Sequence, residues 1–344
     1  MTQLRVAVFG AGSIGCYLGG HLAAAGTADV TLVGRPAVLD AARERGLTLS
    51  TSDAPDVRVK PHELRTATDA AAVRDAVGAA ECVLVTVKSA GTARAAEELR
   101  LLLRPGTVVA SFQNGLRNPG VLRDGLPGHT VLTGMVPYNV LGVGPGTYHR
   151  GVGGELVLDD DPRGAPLVAA LRGAGLETAT RPDMAAVQYA KLLLNLNNAV
   201  NALSGLTLLE ELGQRAYREC LARCQQEALA AFRAGGMEPA QLGPAGPDFV
   251  IEVLRLPDAE YAQLAGEALR IDATARSSMW EDLERGRATE IADLQGEVVA
   301  LAARHGLAAP ANARIAELVR QAERDGAARH RWTGPELLAE LDRE

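Results

Sequence analysis

Apolar residues form short runs, separated by helix-like patterns, along residues 1–182. The run Cys82–Val87 (CVLVTV) is almost entirely apolar, as expected for a strand that is covered on both faces. This alternation of strands and helices predicts a parallel sheet with right-handed crossovers, and hence a doubly wound α/β domain. The predicted strands are Leu4–Phe9, Val30–Val33, Val57–Val59, Cys82–Val87, Val108–Phe112 and Val131–Val136.

The pattern changes in the second half of the chain. Residues 141–160 are glycine-rich and then β-like, so we expect a hairpin that extends the sheet. The Arg-Pro-Asp triplet at 181–183 predicts a break before a helix, which places an α/β domain at 1–182 and an all-α domain at 183–344. The helical patterns are Met184–Ser204, Glu210–Ala234, Asp258–Glu284 and Ala288–His305.

A glycine-rich turn follows the first predicted strand and opens a helix. In this context Gly10 permits a tight turn, Gly12 lets the backbone approach a pyrophosphate, and Gly15 lets the helix pack on the strand. The helix N-terminus offers N–H groups and a positive dipole end to the phosphates. The motif predicts a Rossmann-type dinucleotide-binding domain, and the alternative is a purely structural turn. Its residues are Gly10, Ala11, Gly12, Ser13, Ile14 and Gly15.

Polar residues follow three of the predicted strands at the edge where such sheets bind ligands. The second strand ends without an acid, and Arg35 stands where a guanidinium can bind a 2′-phosphate, so the sequence predicts NADP rather than NAD. Lys88 follows the CVLVTV run, and Asn114 lies in a Gln-Asn-Gly segment after the next strand. We expect both to contact the cofactor, and Asn114 also the substrate. The alternatives are a surface arginine, a strand exit into water and an ordinary Asn-Gly turn.

A polar strip marks the first helical pattern of the second domain. At about 100° per residue, Asn195 and Asn198 lie about 40° and about 20° to either side of Lys191 on an otherwise apolar helix. Buried amides without partners are costly, so the strip predicts a surface that faces a ligand. A lysine also suits the reduction of a ketone, because an ammonium polarises the carbonyl and then delivers a proton. The alternative is a set of asparagines that bond neighbouring helices, with a lysine that reaches the surface.

A third candidate segment begins with two adjacent serines. The hydroxyls of Ser277 and Ser278 are suited to binding a carboxylate, and Glu290 is expected to begin a new helix after Gly286 and to project toward the ligand. A helix-capping serine and a surface glutamate are the alternatives.

Composition and charge narrow the class of protein. The net charge is −7 and no long basic run occurs, which disfavours nucleic acid and anionic membranes as partners. No apolar stretch is long enough to span a bilayer and no secretory signal is visible, so we expect a cytoplasmic protein. The four cysteines form no CxxC pair, which disfavours a disulfide framework or a metal site and favours buried thiols.

Together these motifs resemble the ketopantoate reductase (2-dehydropantoate 2-reductase) family. The resemblance covers most of the chain, from GAGSIG through Lys88, QNG, KLLLN and SSMWEDLERGRATEI to HGLAAPAN. It implies reduction of 2-dehydropantoate, a small 2-oxo acid, to pantoate in pantothenate biosynthesis. It further implies that Lys191 donates the proton and that Asn195 contacts the substrate. The remaining implied roles are carboxylate binding for Ser278, a contact with cofactor and substrate for Glu290, and NADP contacts for Arg35, Lys88 and Asn114.

Three positions depart from the family's pattern, because Gly91, Ala199 and Leu209 stand where polar residues are common. Lost polar contacts favour a different substrate on the same chemistry, so a relative that acts on another 2-oxo or β-keto compound stays open. A hydroxyacid or sugar-acid dehydrogenase with a helical domain and a non-catalytic NADP-binding protein are further alternatives. The helical domain is also a candidate for homodimerisation, because long apolar helices such as Ala216–Ala234 need cover.

Overall fold

The computed structural model describes residues 3–151, 153–265 and 272–343. Contacts along the chain divide it into two compact units, Met1–Met184 and Ala185–Glu344. The first unit combines sheets with helices, and the second is helical. This architecture confirms the predicted fold class, an α/β domain followed by an all-α domain.

Strands and helices alternate through most of the first unit. The strands are β1 (Leu4–Phe9), β2 (Ala28–Val33), β3 (Leu47–Thr51), β4 (Val57–Val59), β5 (Arg65–Ala67), β6 (Cys82–Val85), β7 (Val108–Ser111), β8 (Thr130–Met135), β9 (Val140–Gly144), β10 (Thr147–Arg150), β11 (Leu156–Asp159) and β12 (Thr178–Arg181). The helices are α1 (Ser13–Ala24), α2 (Pro36–Arg45), α3 (Ala70–Ala79), α4 (Thr92–Leu102), α5 (Asn118–Gly125) and α6 (Ala165–Gly173).

The main sheet has the order β12-β11-β8-β7-β6-β1-β2-β5. From β5 to β8 all neighbouring strands are parallel. Their order is that of a Rossmann sheet, in which successive strands are added first on one side of β1 and then on the other. Strand β11 then runs antiparallel to β8 and parallel to β12. Every residue of β6 and β7 is buried, because helices cover both faces of the central strands. The apolar character of these runs therefore reflects their place at the centre of the sheet.

The hairpin predicted at 141–160 does form, but the expectation that it extends the main sheet is wrong. Strands β9 and β10 pair with each other and join β3 and β4 in a separate sheet of order β4-β3-β10-β9. Strand β10 pairs in parallel with β3, placing Tyr148 opposite Leu49. Both side chains are buried in the core that also receives Tyr17 of α1. This apolar contact holds the hairpin against β3. The residues that pack together are far apart in the sequence, so the local pattern did not indicate which sheet the hairpin joins.

The second unit is built from helices around α10. Its helices are α7 (Met184–Asn195), α8 (Asn197–Ser204), α9 (Leu208–Leu212), α10 (Arg215–Ala234), α11 (Pro247–Leu254), α12 (Asp258–Ala265), α13 (Ser278–Glu284), α14 (Gln295–Arg304), α15 (Pro310–Asp325) and α16 (Gly334–Leu341). Helix α10 packs against α11, α14, α15 and α16 of its own unit. Its apolar face is therefore covered within the chain, so the argument that this helix needs a second subunit for cover was wrong.

None of the four long helical patterns forms one continuous helix over its predicted range. The first breaks at Leu196 and the second at residues 213–214. The third ends as α12 and resumes as α13 after a turn in which the Asp272 carboxylate accepts the N–H of Thr274 at 2.7 Å; its residues 266–271 lie outside the described part of the chain. The fourth begins only at Gln295, because a turn occupies residues 291–294.

In the described ranges, no helix combines the length and the apolar character that crossing a membrane requires.

Candidate functional site

The glycine turn after β1 is held against the neighbouring strand. The N–H groups of Gly10 and Ala11 both donate to the Val33 carbonyl, at 3.0 and 2.9 Å. Gly10 has a φ of +108°, and a Cβ atom there would lie 2.6 Å from the backbone nitrogen of Val87. A side chain at position 10 is thus excluded by the fold itself.

The other two glycines of the motif differ in whether the fold requires them. A Cβ on Gly15 would lie 2.6 Å from both the Gly10 carbonyl oxygen and Oγ1 of Thr86, so α1 packs closely on the turn. A Cβ on Gly12 would meet nothing nearer than the Gly10 oxygen, at 3.9 Å. Gly12 is the N-cap of α1 and makes no side-chain cap, which leaves the helix N-terminus open. The bare backbone here fits a pyrophosphate and is not required by the packing of the chain.

Arg35 follows β2 at the same edge of the sheet as the glycine turn. Phe9 and Val33 are paired in register, so the residues after each strand lie side by side. Gly34 brings the chain close to Ala11, since a Cβ at position 34 would lie 2.9 Å from the Ala11 Cβ. Arg35 itself is exposed and precedes α2. Its position fits an anionic group attached to a nucleotide that begins at the turn.

Lys88 and Asn114 follow the next strands, β6 and β7, on the other side of β1. Val85 is in register with Ser111, which places the two following segments at one edge. Lys88 is exposed and in extended conformation, whereas Asn114 is partly buried. The structure thus brings the glycine turn, Arg35, Lys88 and Asn114 to a single edge of the sheet.

Two further amides shape this edge and were missed by the sequence reasoning. Gln113 donates to the Val87 carbonyl at 2.8 Å and to Oγ1 of Thr92 at 2.7 Å. Asn118 donates to the Asn114 carbonyl at 2.5 Å and accepts from Thr92 at 2.7 Å. They tie the loop after β7 to the loop after β6 and hold the backbone of Asn114. The signal for them was a pair of amides that flank the Asn-Gly dipeptide.

The predicted polar strip of the helical unit is divided between α7 and α8. Lys191 and Asn195 belong to α7 and Asn198 to α8, with Leu196 between them at φ −59° and ψ −26°. Asn195 and Asn198 are only 4% and 7% exposed, and Lys191 is partly buried. Burial lowers the pKa of Lys191 from 10.5 to about 8. The assumption of one straight helix was therefore wrong, although the backbone at the junction stays helical.

Two glutamines from other helices hold this junction. Nε2 of Gln295 donates to the Leu196 carbonyl at 2.8 Å, and Nε2 of Gln225 donates to the Leu193 carbonyl at 3.1 Å. Both glutamine side chains are buried. A carbonyl that accepts a side-chain hydrogen bond is less available to the backbone hydrogen bonds of its own helix, which explains the break at Leu196.

The asparagines on the other side of α8 have structural partners. Asn197 and Asn201 both donate to Oε2 of Glu211, at 3.2 and 3.1 Å. Asn198 differs, because the structure gives its side-chain amide no partner among the described residues, while its backbone carbonyl accepts from Ser277 at 3.0 Å. A buried amide without a partner inside the protein is suited to a ligand.

The two adjacent serines have different surroundings. Ser277 is fully buried, and its hydroxyl accepts from the N–H of Trp280 at 3.1 Å, as an N-cap does. The expectation that both hydroxyls bind a ligand is wrong for Ser277, because its oxygen is used by the cap and by the bond to Asn198. Ser278 is partly exposed and begins α13, which packs against α8. The cap and the bond of Ser277 to Asn198 therefore hold the start of α13, where Ser278 lies, against the helix that carries Asn198.

Glu290 does not begin a helix. It lies in the turn before α14, where its carbonyl accepts the N–H groups of Asp293 and Leu294 at 3.0 and 3.1 Å. The preceding Thr289 is tied to Glu323 of α15, which accepts its N–H and its hydroxyl, both at 2.7 Å. These bonds anchor the turn, in which Glu290 is partly buried.

The cysteines are buried free thiols. Burial raises the pKa of Cys16 to about 11 and the pKa of Cys82 and Cys220 to about 12, and that of Cys224 is also raised. Over the residues that are described, no three His, Cys, Asp or Glu side chains are grouped so as to hold a metal ion.

Comparisons with known proteins agree with this geometry. The family model "Ketopantoate reductase PanE/ApbA" matches residues 6–162, and its C-terminal counterpart matches residues 183–323. The 2-dehydropantoate 2-reductase of Halobacterium salinarum is 33% identical over 94% of this chain and 100% of its own length. The 2-dehydropantoate 2-reductase of Mesorhizobium japonicum is 28% identical over 84% of this chain and 88% of its own length. A ketopantoate reductase structure from Ralstonia eutropha JMP134 has a TM-score of 0.78 and 30% identity, over 94% of this chain and 99% of that one.

Proposed function

Because the chain belongs to the ketopantoate reductase family, we propose that it reduces 2-dehydropantoate to pantoate with NADPH, using Lys191 as the proton donor. The observation that carries the proposal is a lysine on α7 whose surroundings lower its pKa to about 8, on the same helix as a buried Asn195. In this proposal residues 1–182 bind the cofactor, and residues 183–344 bind the substrate.

The first unit provides the residues suited to hold NADP. The open N-terminus of α1 and the bare backbone of Gly12 fit the pyrophosphate, with the other turn residues, Gly10 to Gly15, shaping the approach. Arg35 would bind the 2′-phosphate, and Lys88 and Asn114 would contact the rest of the nucleotide. NADPH, when bound, supplies the hydride. The fit is supported by the order of the sheet, since ligands of such sheets bind at the carboxyl edge beside the reversal of strand order.

Lys191 would act on the substrate carbonyl. Reduction of a ketone places negative charge on its oxygen, which an ammonium group stabilises before it transfers the proton. With a pKa of about 8, most Lys191 is protonated at neutral pH and the proton is released more easily than from an ordinary lysine. Asn195 and Asn198 would orient the substrate by hydrogen bonds, Ser278 would bind its carboxylate, and Glu290 would contact the cofactor and substrate.

The proposal is tested by following NADPH oxidation with 2-dehydropantoate. The wild type should turn over, and Lys191→Ala should bind NADPH but lose turnover. Lys60→Ala is the matched control, because Lys60 is an exposed lysine of the first unit. Loss of activity in the control, or normal turnover in Lys191→Ala, would contradict the assignment. A Lys191→Ala variant that binds NADPH but loses turnover with every substrate would also exclude a non-catalytic NADP-binding protein.

The choice of NADPH over NADH rests on Arg35. Arg35→Ala removes the guanidinium that would pair with the 2′-phosphate, so KM for NADPH should rise by about tenfold or more while KM for NADH changes little. Equal effects on the two cofactors would refute this role. Arg45→Ala provides the control, because Arg45 is exposed at the other end of α2.

A second substrate remains a candidate because of position 199. Ala199 is fully buried and has no polar group, so α8 lacks an amide where the family commonly has one. An oxo acid without the hydroxyl group of 2-dehydropantoate would lose less from this absence. A panel of 2-oxo and β-keto acids, compared by kcat/KM, decides between the substrates. We further propose a cytoplasmic protein that forms homodimers, which sedimentation at several concentrations would test.

A further inference from the structure

A buried chain of hydrogen bonds connects α9 to the start of α13. Glu211, on α9, accepts the amides of Asn197 and Asn201 through Oε2. Oδ1 of Asn201 accepts the backbone N–H of Ser277 at 2.9 Å. Glu211, Asn201 and Ser277 are each 0% exposed, so water competes for none of these bonds. The chain of bonds ends at the residue directly before Ser278.

The surroundings of Glu211 favour an uncharged carboxylic acid. Burial raises its pKa to about 8, although the two amides oppose the shift. Three groups that interact with it electrostatically have a raised pKa and are uncharged at neutral pH: Tyr217, Cys220 and Tyr261. Its Oε1 has no partner among the described residues.

Arg218, the fully buried arginine of α10, does not neutralise Glu211. Arg218 donates to the carbonyls of Leu212, Leu254 and Leu256 and pairs with Asp258 at 2.9 Å. A buried carboxylate without a cation is strongly disfavoured, whereas a neutral acid that accepts two amides is tolerated. What Glu211 contributes is therefore an acceptor of fixed position, and an uncharged group of the same shape can replace it.

We propose that Glu211 is a positioning residue for the substrate-binding hydroxyl of Ser278, acting through Asn201 and the backbone of Ser277. Asn201 is held from one side by Glu211 and holds Ser277 on the other. Ser277 in turn caps α13 and bonds the Asn198 carbonyl, so its position sets the beginning of α13 relative to α8. This inference rests on the proposed role of Ser278 in binding the carboxylate of a 2-oxo acid.

The test compares two replacements of Glu211. Glu211→Met fills a similar volume but removes the acceptor, so KM for 2-dehydropantoate should rise by about tenfold, as expected when one hydrogen bond to a carboxylate is weakened. KM for NADPH should stay unchanged. Glu211→Gln keeps an uncharged acceptor of the same shape and should restore KM for 2-dehydropantoate to the wild-type value. Glu227→Ala is the matched control, because Glu227 caps α15 by accepting from Ala311 and Asn312 and should lower Tm without raising KM for 2-dehydropantoate.

Three results would overturn the inference: an unchanged KM in Glu211→Met, an equal defect in Glu211→Gln, or the same KM rise in Glu227→Ala. If Glu211→Met does not fold, Asn201→Ala breaks the next bond, and an unchanged KM there overturns the inference as well. Absence of 2-oxo acid reduction in the wild type would instead refute the proposed function, so the two failures are distinguishable.

Discussion

The pKa of Lys191 predicts how the rate of reduction depends on pH. Burial brings it from 10.5 to about 8, which disfavours the charged form by about 3 kcal/mol. Because the proton donor must be charged, activity is present below this pKa and is lost as the pH rises through it. About nine-tenths of Lys191 is charged one pH unit below its pKa and about one-tenth one unit above. In the free enzyme, kcat/KM should therefore fall about tenfold per pH unit above about pH 8.

The bound substrate should raise the pH above which activity falls. A carboxylate in the site favours the ammonium form, so the pKa of Lys191 should be higher in the complex than in the free protein. The pH profile of kcat reports the complex, and that of kcat/KM reports the free enzyme. The falling limb of kcat should thus lie at higher pH than the falling limb of kcat/KM.

Initial rates of NADPH oxidation, measured from about pH 6 to about pH 10, test both statements. Lys191→Arg provides the comparison, because a guanidinium stays charged over this range and should remove the falling limb, at a lower overall rate. The reasoning is refuted if kcat/KM of the wild type is level to the highest pH. It is equally refuted if Lys191→Arg keeps the same falling limb.

Two further substitutions separate structural from functional contributions. Gly10→Ala should lower the free energy of unfolding by about 1–3 kcal/mol, because the positive φ and the contact with Val87 exclude a side chain there. Gly12→Ala should unfold like the wild type but bind NADPH more weakly. Denaturant titration and NADPH-binding titration compare the two variants, and equal stabilities would contradict the argument. Gln295→Leu should lower the free energy of unfolding by about 1 kcal/mol and reduce kcat, because the Leu196 carbonyl loses its donor and the junction of α7 and α8 shifts. If kcat and Tm are both unchanged in this variant, the glutamine does not hold the junction.

Local patterns accounted for much of the first unit. The central strands are apolar throughout because both faces are covered, and this can be read from consecutive residues such as those of β6. The glycine turn can also be recognised from consecutive residues after β1, although the contacts that exclude side chains at Gly10 and Gly15 come in part from Thr86 and Val87, far along the chain. The place of Arg35, after β2, follows from the strand order that these motifs imply. These features could therefore be predicted before the structure was known.

Sequence alone established a doubly wound α/β unit, a helical unit, the glycine turn and a lysine on an apolar helix. Tertiary structure decided the sheet that receives the hairpin, the break at Leu196, and the difference between Asn201, which bonds Glu211, and Asn198, which bonds no described side chain. The reason is separation along the chain: Gln295 lies 99 residues from Leu196, and Ser277 lies 76 residues from Asn201. Periodicity reports which face of a helix is buried, but the partner of a buried amide depends on elements that only the packed fold brings together.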